Sequence, residues 1–194
     1  MTLLKRQCFK IGKSIKTYIF AAFNGIEVGG QSPLFYFMEF NTRVHDLLEE
    51  ALTEQPTLFL VDAHIDSASH IRVVLDGDEG VTLEQCMRVS RHIEHNMDRE
   101  EHDFSLEVGS AGAASPLTIP RQYKKHLGRI LAIVTNEDEA LKGTLTTTDN
   151  NGITLQWKAR EPKPIGKGKH TVTKEAALSY EHIKKATVQI QFNK

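Results

Sequence analysis

"IRVVLDGDEGVTLEQCMRVSRHI", Ile71 to Ile93, is the stretch on which the fold turns. Its first half alternates, placing Ile71, Val73 and Leu75 on one face, which is the period of a half-buried strand. The acidic turn Asp76-Gly77-Asp78-Glu79-Gly80 then breaks the pattern. Thr82 and Gln85 stand three apart, the spacing of a capping box, in which each side chain satisfies a free amide of the other's backbone. Beyond them the apolar period lengthens to that of a helix, with Leu83, Cys86, Val89, Ile93 and Met97 facing inward. A strand, a tight acidic turn and a capped helix are thus packed into one short segment.

Working outward, "DSAS" at 66–69 is a short turn, and "TLFLVDAHI" at 57–65 is a second strand with nearly continuous apolar content. Before it, Asn41 can cap a helix carrying Val44, Leu47, Leu48, Ala51 and Leu52, which Pro56 ends. After the central stretch, "DFSLEVG" at 103–109 supplies a third strand. The order helix, strand, strand, helix, strand within about 70 residues predicts an α+β layer. Past "IPRQYKKHLG" the texture changes to short runs rich in Thr, Val and Ile: Ile130–Thr135, Lys142–Thr148, Ile153–Trp157, His170–Thr173 and Ala186–Phe192. "DNNG" between two of them is a hairpin signal. Five short strands so close together predict a small β-barrel, which closes on itself and leaves no edge.

Composition agrees with a folded chain of one or two domains: 194 residues, 40% apolar and 25% charged. No run of about 18 apolar residues exists to cross a membrane. Cys8 and Cys86 have no ligand-like spacing, which points to a reduced, intracellular setting. The net charge of −1 conceals three blocks. Residues 1–37 carry five Lys/Arg against one acid, net +4; residues 38–127 carry eight against seventeen, net −9; residues 128–194 carry eleven against seven, net +4. Such sign changes point to separate units with separate partners. The first block lacks useful periodicity. Lys5, Arg6, Lys10, Lys13 and Lys16 allow an amphipathic membrane or RNA-binding tail, but we read 1–37 as a leader, disordered or upstream of a start at Met38.

Few motifs carry chemistry. "LEVGSAGAASPL", 106–117, is dense in small residues. A phosphate loop of the Walker type needs a Lys and a Ser/Thr opening a helix, and Pro116 stands where that helix would begin. Gly109–Gly112 is formally G-x-x-G, the RNA-clamping element of KH modules, but it trails a strand and has no basic residue. Asp76, Asp78 and Glu79 resemble the start of a calcium loop, whose closing carboxylate is replaced by Met87. His92 and His95 lack the further ligands of a zinc site and read as surface residues. Ser90 and Ser110 have no adjacent base, and Trp157 and Tyr180 read as core packing. We therefore assign no catalytic residue, metal or cofactor.

Cations give the sharper signal. "KAREPKPIGKGKH" places Lys158, Arg160, Lys163, Lys167, Lys169 and His170 within thirteen residues. Its prolines and glycines predict a projecting hairpin loop, suited to RNA phosphates through counterion release. Arg121, Lys124, Lys125 and Arg129 form a second, weaker patch. The acidic block is instead matched to a basic protein.

Arg72–Asp76, Val81–Arg91 and Leu106–Leu117, followed by "YKKHLGR", resemble the ribosome maturation factor P family. Its pattern runs R-V-x-x-D, an acidic turn, V-T-x-x-x-C/A-x-x-x-S-R, then L-E-V-S-S-P-G ending in P-L. The likeness spans about Met38 to Phe192, including Gly143 in "KGTL", the Asp149–Gly152 turn and "YEHIKKATV". It departs where the family has an acidic residue and Arg before P-L; this chain has Ala113, Ala114 and Ser115. The resemblance implies a KH-like α-β-β-α-β domain over 38–117, a connection over 118–127 and an Sm/SH3-like barrel over 128–194. Gly109, Ser110, Gly112, Pro116 and Leu117 would form its structural connecting loop. It further implies a cytoplasmic, monomeric, non-enzymatic factor for late assembly of the small (30S) ribosomal subunit. Such a factor meets rRNA and a basic ribosomal protein of the decoding region, without a membrane. An adaptor without RNA contact, and an enzyme cradling phosphate on Gly109–Gly112, remain the alternatives.

Overall fold

The structure is a computed structural model describing residues 33–100, 102–162 and 169–190. The chain divides into two units, 1–39 and 40–194; of the first, the structure describes only 33–39, the opening of a helix. That helix, α1 (Pro33–Thr53), begins inside the stretch assigned above to a leader, of which residues 1–32 lie outside the described part. Asn41 is therefore not its cap. It sits within the helix, and its Oδ1 is buried without a hydrogen-bond partner. Pro33 occupies the first turn, where its missing N–H has no helical partner to lose.

The elements then follow the expected order. They are β1 (Leu58–Ile65), β2 (His70–Gly77), α2 (Leu83–Asn96) and β3 (Ser105–Ser110). The sheet order is β1-β2-β3, with β1 antiparallel and β3 parallel to β2. Alternation along β2 sends Ile71, Val73 and Leu75 into a core shared with Val44, Leu47 and Leu48 of α1 and with Val89 and Ile93 of α2. The capping box is present: the Gln85 amide donates to Thr82 Oγ1 at 3.2 Å, and the Thr82 amide donates to Gln85 Oε1 at 2.8 Å. Of the predicted inward face, Cys86, Val89, Ile93 and Met97 are buried, but Leu83 is 77% exposed. It is the first residue of α2, and a helical side chain leans toward the N-terminus, here beyond the reach of the core.

The second half begins with a five-residue helix, α3 (Pro120–Lys124), and continues as β4 (Ile130–Thr135), β5 (Ala140–Thr148), β6 (Gly152–Pro162) and β7 (Lys169–Ser179). A 3₁₀ turn, Tyr180–His182, leads to β8 (Ile183–Val188). The five strands are antiparallel in the order β7-β6-β5-β4-β8. Leu131, Ile133, Leu145, Leu155, Ala186 and Val188 turn to a second core, which Leu117 and Tyr123 enter from the preceding segment. Trp157 and Tyr180 pack against it, as expected. The ladders do not close the sheet: β7 and β8 are its two edges among the described residues, so the pairing is open rather than that of a closed barrel. The β6 and β7 strands also run further than predicted, for Lys158–Pro162, Lys169 and Lys174–Ser179 belong to the ladder. Pro162 is tolerated because it is the last residue of β6.

Candidate functional site

The small-residue stretch does two things at once. Gly109 and Ser110 are the end of β3, paired with Val74 and Leu75, and the Ala111 amide extends that ladder to the Leu75 carbonyl. A turn follows, closed by the Ser115 amide on the Gly112 carbonyl at 2.9 Å, and the Leu117 amide then donates to Ala186 of β8 at 2.8 Å. One short loop thus leaves the first sheet and enters the second. Its glycines are not needed for backbone conformation, since the described glycines with positive φ are Gly80 and Gly128; a Cβ on Gly109 would meet nothing within 4 Å, whereas one on Gly112 would come 2.9 Å from Ser115 Oγ. The G-x-x-G joins no pair of helices, and its first two residues are in a strand.

Beside this loop lies a cleft of about 500 Å³, lined by Asp76, Gly112, Gln122, Lys125, Arg129 and Gln189 among others. Its floor is an ionic lock between the end of β2 and the α3 turn. Gln122 is 1% exposed. Its Oε1 accepts from the Thr118 and Ile119 amides at 2.8 and 3.2 Å, doing the capping that Ile119 has no polar side chain to do. Its Nε2 donates to Asp76 Oδ2 at 2.9 Å. Lys125 Nζ and the Gly77 amide donate to the other oxygen. Burial alone would raise the Asp76 carboxyl, but these three donors outweigh it and hold the group below its ordinary range. Arg121 makes the second half of the lock: Nε and Nη2 donate to Asp78 at 2.8 and 2.6 Å, Nη2 also reaches the Pro56 carbonyl at 2.8 Å, and the guanidinium stacks 4.6 Å from the Phe59 ring centre. The Arg121 fork lowers the Asp78 carboxyl in turn. His126, on the same wall, is pushed below its usual value by burial and then by the charges of Lys125 and Arg129.

The junction patch read from the sequence is therefore half occupied. Arg121 and Lys125 are held by Asp78 and Asp76, while Lys124 and Arg129 are exposed and in no ion pair. The basic loop is also redistributed: Lys158 and Arg160 are on β6, Lys169 and His170 on β7, and Lys163 and Lys167 lie outside the described residues. Sequence reading did not anticipate the Asp76–Gln122–Lys125 lock, whose partners stand 46 and 49 residues apart. Among the described residues no three His, Cys, Asp or Glu side chains are grouped to hold a metal. His92 instead faces Glu50 of α1 at 3.4 Å. No helix among the described residues is long and apolar enough to cross a membrane.

Residues 47–114, which contain the first sheet and most of its core, match the model of the RimP N-terminal domain. A ribosome maturation factor RimP of Christiangramia forsetii is 55% identical over 150 residues, covering 77% of this chain and 97% of that protein. The chain belongs to the RimP family. Similarity to other members extends across both halves of the fold. A ribosome maturation factor RimP of Flavobacterium psychrophilum is 46% identical over 155 residues, 80% of this chain and all of that protein, and one from Cytophaga hutchinsonii is 31% identical over 166 residues. Arg72–Asp76 and Val81–Arg91, the motifs that first carried the RimP resemblance, are β2 with the lock's buried acid and the capped start of α2.

Proposed function

We propose that this chain is a non-enzymatic ribosome maturation factor that binds the immature small subunit, as a monomer in the cytoplasm, and assists its late assembly. Membership of the RimP family is the observation that carries the reading, since relatives bearing that printed name match nearly their whole length. The finer architecture belongs to the same proposal: a KH-like domain over 38–117, a connection over 118–127 and an Sm/SH3-like unit over 128–194. The charge blocks divide the labour. The basic C-terminal part meets rRNA through Lys158, Arg160, Lys163, Lys167, Lys169 and His170, with Lys124 and Arg129 adding cations at the junction, while Arg121 and Lys125 build the lock. The acidic part, net −9 over 38–127, meets a basic ribosomal protein.

No hydrolysis is required. A factor that binds one arrangement of an assembling particle better than another shifts its population, then leaves when the mature surface no longer fits. Co-sedimentation with purified mature and immature small subunits across a salt series tests this. Preferential binding to immature particles that weakens steeply with salt is expected. Binding to neither particle at low salt sinks the reading. Partner capture that survives RNase with little salt dependence would replace it with a protein adaptor.

A further inference from the structure

Each side of the five-stranded sheet has its own electrostatic character. Leu145 and Leu155 face the second core, so alternation puts Lys142 and Thr144 of β5, and Lys158 and Arg160 of β6, on the opposite, outer side. The ladders agree. Lys158 pairs with Thr173 and Arg160 with Thr171, Pro162 with Lys169, Lys142 with Ala132, and Ala132 with Thr187, two residues from Lys185. The described strands β4 to β8 hold seven Lys/Arg residues. Five of them, Lys142, Lys158, Arg160, Lys169 and Lys185, are on this outer face, all exposed and none in an ion pair. The other two are neutralised: Lys174 by Glu161 at 2.5 Å, and Lys184, at the irregularity in β8, by Asp138 at 2.6 Å. The single carboxylate on the outer face of these strands, Glu175, accepts from Gln156 Nε2 at 2.7 Å.

This is not the pattern of a merely solvated surface. The β5–β6 ladder ends at Thr144 and Gln156, with Lys142 two residues beyond that end on β5 and Lys158 two beyond it on β6. Like charges gathered on one sheet face repel one another. Arg160 and Lys169 are diagonal neighbours, about 7–8 Å apart. From β8 to β7 the cations cross four strand spacings, about 19 Å. Thr171 and Thr173 stand among them with hydroxyls able to donate to phosphate oxygens. Among the described residues the outer face carries no aromatic ring, because Trp157 and Tyr180 turn to the core. It therefore offers no platform on which unpaired bases could stack.

We propose that this outer face docks double-helical RNA, holding the phosphate backbone and reading shape rather than sequence. The proposal deepens the maturation reading and rests on it for the identity of the RNA, a helix of precursor rRNA. Broad and cationic, the surface suits the wide, shallow minor groove of an RNA duplex and its flanking phosphates.

Fluorescence anisotropy with the full chain tests it, using a 20-base-pair RNA duplex and an oligo-uridine of equal phosphate number. The duplex should bind at least about tenfold tighter, with log K falling against log salt at a slope of roughly −3 to −4. The double variant Lys142→Gln/Lys158→Gln should fold normally by circular dichroism, reduce that slope by about 2 and weaken duplex binding 10- to 30-fold. Lys174→Gln, on the inner side, should leave both unchanged. Equal affinity for oligo-uridine, an unaltered slope in the double variant, or an equal loss in Lys174→Gln each overturns the proposal. Duplex binding with the expected slope but no association with immature subunits would keep the face assignment and overturn the maturation reading. Subunit association whose salt dependence is indifferent to the double variant would do the reverse.

Discussion

Two groups of cations look alike in the sequence and behave oppositely in the fold. Arg121, Lys124, Lys125 and Arg129 form one cluster, and Lys158 to His170 the other. At the junction, Asp76 and Asp78 capture two of the four cations, joining the end of β2 to α3. On the outer sheet face the single carboxylate, Glu175, is hydrogen-bonded to Gln156, and five cations stay unpaired. The first arrangement supports the structure; the second weakens it slightly and keeps its charge available. Local density of Lys and Arg therefore does not decide what a basic segment is for. The acids brought to it from far along the chain do.

The largest effect should come from breaking the lock. Asp76 is 4% exposed, and Asp76→Ala would leave Lys125 and the buried Gln122 amide facing a void. Removing one partner of a buried pair costs about 3 kcal/mol. Urea unfolding should show that loss, whereas Lys142→Gln/Lys158→Gln should show none. Equal losses would erase the distinction between the two cation groups.

Much of this fold was legible because its signals are local. Period-2 alternation gave β2, and Thr82 with Gln85 gave the start of α2 to the residue. What escaped was long-range or marginal. Asn41 was a plausible cap, but α1 extends back to Pro33, a residue suited to a helix's first turn. Leu83 has the right type and spacing for burial but lies one turn too early. Lys158–Pro162 looked like a loop from its proline, yet a proline at the strand's last residue leaves the ladder intact. Of the junction and outer-face cations, the sequence singled out the four at the junction and Lys158, Arg160 and Lys169, but not Lys142 or Lys185. Their division into paired and unpaired groups was not legible, because Asp76 and Asp78 read as a solvated turn until the fold set them against α3.

Acid should open the junction before it affects the sheet face. Asp76 and Asp78 have folded values below the ordinary 3.8, so their stabilisation is complete above that pH and is lost as pH falls through the lower folded values. His126 acts with the same sign from a different cause. Its folded value lies below 6.5, so the unfolded chain binds more protons just under that pH, and stability declines as pH drops through the window. Urea midpoints should fall in two stages on acidification, first below about pH 6.5 and again below about pH 4. His126→Gln should remove the first stage and Asp76→Asn should blunt the second. A midpoint independent of pH across both windows would contradict the lock as described.

Arg121→Lys is the subtler probe of the same junction. Lysine keeps the charge but loses the two-pronged grip on Asp78, the reach to the Pro56 carbonyl and the stack on Phe59. Both Arg121 and Asp78 are partly exposed, so solvent limits the loss to about 1 kcal/mol. A loss as large as that of Asp76→Ala would move the centre of the junction from Gln122 to Arg121.

The smallest effect should have the opposite sign, and it separates the two regions most sharply. Lys142 is exposed and unpaired, and it shares the outer face with four further unpaired cations. Lys142→Gln removes that repulsion while keeping a side chain of similar reach, so it should raise stability by a few tenths of a kcal/mol at low ionic strength. Added salt screens exposed charges over about 10 Å at 0.1 M, so the gain should vanish as salt rises. At the junction, added salt should leave the Asp76→Ala loss largely in place, because buried pairs are screened far less. A Lys142→Gln variant less stable than the parent at every salt concentration would mean that the lysine supports the sheet, and its exposure would then need a structural reason. A small, salt-erased gain would mean the sheet tolerates a charge arrangement that does nothing for its own folding. What retains those cations must then act from outside the chain.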